Sequence, residues 1–133
     1  MRLGLDYRAW RMISLAWMGL IFYLSSQTDL PAQHLFRGED KLAHFLVFGI
    51  LGFLVAGSLG PRYAETPLKG TLLIILVVIG YGALDEAHQY FVPGRDTSVM
   101  DLTADAVGGF FAAIVWIGLR RALFLRRRDD TGP

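Results

Sequence analysis

Lys41 and His44 stand three residues apart, Asp85, Glu86, His88 and Gln89 crowd together, Arg95 follows Pro93-Gly94, and Asp101 and Asp105 stand four apart. On a helix, residues three or four apart share a face. Lys41 and His44 then project toward the same neighbour; Asp85, His88 and Gln89 form one face, and Glu86 and Tyr90 form an adjacent pair. Asp101 and Asp105 fall on one stripe with Gly108 and Ala112, small residues that permit close helix packing. If that stripe faces inward, four carboxylates (Asp85, Glu86, Asp101, Asp105) meet two fixed cations, Lys41 and Arg95. A surplus of about two negative charges can be balanced by a divalent cation, by protonation of His44 or His88, or by a carboxylic acid that keeps its proton through burial. Sequence alone leaves all three open.

These groups are conspicuous because the surrounding chain is so apolar. It has 133 residues, 53% of them hydrophobic, and a mean hydropathy of +0.41, too apolar for an ordinary soluble domain of this size. Thr71 to Leu84 carries no charge. A hydrocarbon core of about 30 Å needs roughly 20 helical residues, and four such spans are expected near 7–26, 41–60, 68–92 and 100–119. Pro31, Gly60-Pro61 and Pro93-Gly94 break the chain between them. The expected fold is therefore all-α, a single integral membrane bundle of four transmembrane helices joined by short loops. Arg2 to Arg11 ahead of an apolar run also resembles a signal peptide, but no A-x-A cleavage site follows. Trp10, Trp17 and Tyr23, spread along this segment as interfacial anchors, favour an uncleaved helix.

Net charge is only +1, yet the basic residues are bunched at the chain ends. With both termini and the 60–68 loop on one side, only Arg37, Lys41 and Arg95 of the thirteen basic residues lie opposite. The positive-inside rule then places both termini in the cytoplasm and the 27–40 and 93–99 loops on the outer face. Asp85 lies about 26 Å along the third span from Leu68, just inside the outer boundary. Asp40 is placed to cap the second helix. The Arg-rich stretch 120–128 reads as a stop-transfer anchor with a secondary affinity for anionic headgroups, and nucleic acid is not an expected partner. Without cysteine, disulfides, thiolate metal sites and a Cys nucleophile are excluded.

The ordered motifs S-S-Q at 25–27, D-K-x-x-H at 40–44, G-x-x-D-E-x-x-Q at 82–89 and P-G-R at 93–95, followed by Asp101 and Gly108, resemble the VanZ-like family over nearly the whole chain. Asp105 departs from that pattern, since many members carry Asn there. The resemblance implies a multi-pass protein of the bacterial inner membrane. The family's namesake is associated with low-level resistance to the glycopeptide teicoplanin, and the resemblance implies no particular reaction.

The leading expectation is a membrane-embedded binding module. Its outer-face cluster (Lys41, His44, Asp85, Glu86, Gln89, Arg95, Asp101, Asp105) would engage an anionic lipid headgroup or a lipid-linked cell-wall precursor, with Arg95 and Lys41 on the anion. The rival is a hydrolase or transferase on a lipid-linked substrate, with Asp85, Glu86, Asp101 and Asp105 holding a metal and His44 as general acid or base. No HExxH motif or nucleophile elbow supports it. No catalytic residue, metal ligand or cofactor is therefore assigned. A third reading is a structural subunit of a membrane complex; oligomeric state is left open. A transporter fits poorly, because the polar groups gather at one boundary and not at the midplane.

Overall fold

The computed structural model describes residues 6–28, 38–59 and 66–130, and at 121 and 123–130 the backbone alone. Pro31, Arg37, Gly60-Pro61, Arg2 and Arg62, and the side chains of Arg121, Arg126, Arg127 and Arg128, all invoked above for breaks or orientation, lie outside what is described. Four helices follow in order: α1 (Tyr7–Ser25), α2 (Glu39–Ser58), α3 (Pro67–Gln89) and α4 (Val99–Asp130).

Each boundary has a local cause. Gly38, at φ +89°, caps α2 in the left-handed region where glycine alone sits without strain. Asp40, expected as that cap, instead lies inside the first turn, where its charge still complements the exposed N–H groups, and it pairs with Lys41 at 2.7 Å. Pro67 opens α3 where a missing N–H costs nothing. At the far end of α3 the bonds shorten, with Phe91 N–H donating to His88 O and Val92 N–H to Gln89 O. Gly94, at φ +80°, then reverses the chain. Ser98 Oγ accepts Met100 N–H at 3.1 Å and starts α4.

Three helices are long and apolar enough to cross a membrane: Glu39–Ser58, Pro67–Gln89 and Val99–Arg120 of α4. The expectation of four spans is thus met for three. Helix α1 falls outside that set because Arg8 and Arg11, together with Ser14 and its Trp and Tyr residues, dilute its apolar run. The outward faces are as apolar as the interior. Leu68, Leu72, Leu76 and Ile79 line the open side of α3, and Phe110, Phe111 and Ile114 that of α4, as required where lipid is the solvent.

Inside, Phe48, Leu51, Val78 and Ala113 are essentially inaccessible and form the core with Ile74, Val55, Ile21 and Trp116. The tightest seam joins α2 to α4. A Cβ at Gly52 would come within 3.0 Å of the Gly109 Cα, and one at Gly108 would fall on the Phe45 carbonyl, so the two backbones touch. Helix α1 packs on α2 by setting the Trp10 ring on Gly57, edge-on to Phe53 and Trp116. Midway, the Trp17 indole N–H donates to Val47 O at 3.0 Å and the Tyr81 hydroxyl to Met18 O at 2.5 Å, because polar tips in an apolar bundle need a partner. The C-terminal ends of α1 and α3 and the N-terminal ends of α2 and α4 meet at one end of the bundle.

Candidate functional site

At that end the polar side chains divide into two neighbouring networks. Both draw on one face of α3, the i, i+3, i+4, i+7 series Gly82, Asp85, Glu86 and Gln89.

The first network fastens α1 to α3. Asp85 accepts from Ser25 Oγ at 2.5 Å and from Gln89 Nε2 at 2.9 Å, one bond to each carboxylate oxygen. Gln89 Nε2 also reaches Ser25 Oγ at 3.4 Å, and all three side chains are buried. Next to them Ser26 Oγ donates to Phe22 O at 2.8 Å and lies 3.0 Å from His88 Nε2. A hydroxyl has one proton, so here it accepts from the ring nitrogen. His88 also lies against the Phe22 ring, centroids 4.3 Å apart. These contacts give His88 a docking role. Replacing Ser25 with alanine should strand one oxygen of the buried Asp85 carboxylate and cost about 1–3 kcal/mol, read as a lowered apparent Tm in detergent.

Arg95 belongs to this side as well. Its Nε donates to Gln27 O and its Nη2 to Leu24 O, both at 2.9 Å. The turn at Gly94, closed by Arg95 N–H donating to Val92 O at 3.2 Å, swings the guanidinium over the end of α1. There the last carbonyls carry the negative pole of the helix, and Leu24 O, which also accepts Gln27 N–H at 3.1 Å, gains a second donor. Arg95 therefore does not face the carboxylates of α4.

The second network joins α2, α3 and α4. Lys41 Nζ lies 3.2 Å from Asp101 Oδ1, with Lys41 39% exposed and Asp101 6%. His44 Nδ1 is 2.9 Å from Asp105 Oδ1, and the ring stacks on Phe48. An ionised carboxylate can only accept, so His44 Nδ1 donates the proton of this bond. Asp105 is fully buried, and there is room for its carboxylate because position 82 is glycine: a Cβ there would stand 2.6 Å from Asp105 Oδ2. Glu86 Oε2 accepts Ser98 N–H at 2.8 Å and so ties the end of α3 to the start of α4. Glu86 Oε1 and Asp105 Oδ2 are buried without a hydrogen-bond partner. One potential ligand atom each from His44, Glu86 and Asp101 lies within 4.8 Å of the others.

Of the eight residues singled out, the structure thus brings Lys41, His44, Glu86, Asp101 and Asp105 together. It sets Asp85 and Gln89 alongside, turned to α1, and Arg95 beyond them. Sequence reasoning passed over Ser25, Ser26 and Ser98 as partners, although the Ser-Ser pair at a helix end was itself a signal.

The family model for VanZ/LLP1 matches residues 10–124. The chain belongs to the VanZ/LLP1 family. No curated protein and no solved structure matches it. The VanZ/LLP1 match takes in both networks, from Ser25 on α1 to Asp105 on α4. Within it, Asp105 is the residue that orients His44.

One further feature lies on the same helix pair as Lys41, His44, Asp101 and Asp105. Between α2 and α4, on the lipid side, runs an apolar groove of about 290 Å³. It begins at Phe45, next in sequence to His44, and continues past Gly49 and Phe111 to Phe53 and Val115. The same small residues that let the helices touch leave it open.

Proposed function

We propose that this chain is a four-span protein of the bacterial inner membrane that binds an anionic lipid or lipid-linked cell-wall precursor, with the headgroup at the polar cluster and the hydrocarbon chain in the α2–α4 groove. The observation that supports the reading is that one helix pair, α2 and α4, carries both a polar cluster at one end and an apolar groove along its length, lined by Phe45, Gly49, Phe53, Phe111 and Val115. Lys41, half-exposed at the rim, is the cation that meets the headgroup, while Arg95 supports the site by holding α1.

A fourth crossing by α1 is supported by its matched length. It reaches from Trp10 beside Gly57 at one end of α2 to Ser25 beside Asp85 at the opposite end of the bundle, and 19 residues extend about 28 Å. With α1 crossing, the excess of Arg and Lys near the termini favours cytoplasmic ends and an outer-face cluster.

Native mass spectrometry of the detergent-purified chain tests the binding reading. Wild type should retain a phosphate-bearing lipid. Lys41→Ala, which removes the headgroup contact, and Leu46→Trp, which fills the groove from its rim, should each retain markedly less. Equal lipid in all three would defeat the proposal. The buried His44–Asp105 pair favours a second reading, a hydrolase or transferase on such a lipid with His44 as base, which would appear in the same preparation as turnover of added lipid. A connection with glycopeptide susceptibility rests on family resemblance alone.

A further inference from the structure

We infer that His44, Glu86 and Asp101 form a binding site for a divalent first-row metal ion, with Asp105 positioning the histidine. The site deepens the headgroup-binding reading and rests on it only for what the metal would then hold.

Charge is the first argument. Among the described residues, the fixed cation paired within the group Glu86, Asp101 and Asp105 is Lys41, on Asp101 and shared with Asp40, and Arg95 is committed to the carbonyls of α1. Buried carboxylates in an apolar bundle need compensation, and an anionic headgroup arriving here would deepen the deficit. A divalent cation reverses its sign.

Geometry is the second. The three candidate ligands come from three different helices, with ligand atoms within 4.8 Å of one another. Bonds of about 2.0–2.2 Å to a tetrahedral ion place ligand atoms roughly 3.3 Å apart, a closure within reach of side-chain rotation.

Independent of that proximity, one oxygen of a proposed ligand is left over. Glu86 Oε1 is inaccessible and unbonded. Asp105 is 0% exposed, gives one oxygen to His44 and has no partner for the other. With Asp105 held against Nδ1, the neutral His44 ring would offer Nε2 to a metal, the arrangement by which proteins orient a metal-bound histidine and raise its basicity. One imidazole with two carboxylates suits Zn²⁺ or Mn²⁺ and not a thiophilic ion. Three protein ligands leave a coordination position open, which a phosphate oxygen of a headgroup can fill. Lys41 Nζ, 3.2 Å from Asp101 Oδ1, would stand beside the ion as a like charge and so disfavours its entry.

The test uses the full chain, stripped with chelator in detergent and titrated with Zn²⁺ or Mn²⁺ alone. Wild type should take up one equivalent. His44→Gln and Glu86→Gln should each weaken uptake by more than about 10-fold, and Asp105→Asn by about 10-fold or more. Lys41→Met should tighten it, an effect that unfolding cannot mimic. Variants are compared only if they elute as monodisperse as wild type before metal is added. No saturable uptake by wild type, unchanged uptake in both His44→Gln and Glu86→Gln, or weaker uptake in Lys41→Met would each overturn the site. Its failure is separable from failure of the headgroup reading. A chain that takes the metal but retains no lipid keeps the site and loses the headgroup reading, whereas one that retains lipid in chelator and takes no metal does the reverse.

Discussion

Replacing Gly108 with leucine is expected to cost more than about 3 kcal/mol, beyond the usual cost of overpacking a core, and to leave little monodisperse protein after mild heating in detergent. A Cβ at this position would fall on the Phe45 carbonyl and stand 3.0 Å from the Gly49 nitrogen. Both are backbone, and neither can rotate aside as a side-chain tip would. The helices must part, and α2 carries Lys41 and His44 while α4 carries Asp101 and Asp105, so lipid retention and metal uptake should fall with stability. Gly118→Ala is the control. Nothing lies within 4 Å of a Cβ built there, and alanine favours the helix by up to about 1 kcal/mol, so its melting should match or exceed wild type. Equal stability of the leucine and control variants would mean that α2 and α4 do not meet as described.

Arg95→Ala should lower stability by about 2–4 kcal/mol, the loss of two charge-assisted bonds at about 1.5–3 kcal/mol each, partly offset by water reaching the freed carbonyls. Amide hydrogen exchange should rise chiefly toward the end of α1, at residues 22–28. Arg95→Lys should rescue little, because a single ammonium cannot span the carbonyls of Leu24 and Gln27 as the planar fork does. If Arg95→Ala melted like wild type yet lost its lipid, the guanidinium would belong to the anion site and not to the helix end.

Apolar length and the breakers between segments made the helices legible: α1, α2 and α3 begin and end within a few residues of the spans expected. Helix α4 runs on to Asp130, ten residues past its apolar portion, since arginines end a membrane span without ending a helix. The faces within helices were legible too. The Lys41–His44 and Asp101–Asp105 spacings placed each pair toward a common partner, and Asp85, His88 and Gln89 do share the side turned to α1. What spacing does not encode is the order of helices around the bundle axis, and that order selected Ser25 for Asp85, the α1 carbonyls for Arg95 and the Ser98 amide for Glu86. Asp40 was misread for a smaller reason: Asp is a strong capping residue, but a left-handed glycine two positions earlier started the helix first.

The polar ties described here join residues far apart in the chain, with Ser25 and Asp85 separated by 60 positions, His44 and Asp105 by 61, and Leu24 and Arg95 by 71. At synthesis rates of about 5–20 residues per second, the last turn of α1 and the first turns of α2 leave the ribosome roughly 3–14 s before their partners exist. Helix α2 must therefore enter the bilayer on apolarity alone, with His44 unanswered, and α1, which falls outside the three apolar spans, is the helix most exposed to that delay. Quality-control proteases should thus meet the nascent chain at its first helix, and substitutions that make α1 more apolar should raise yield without touching the site.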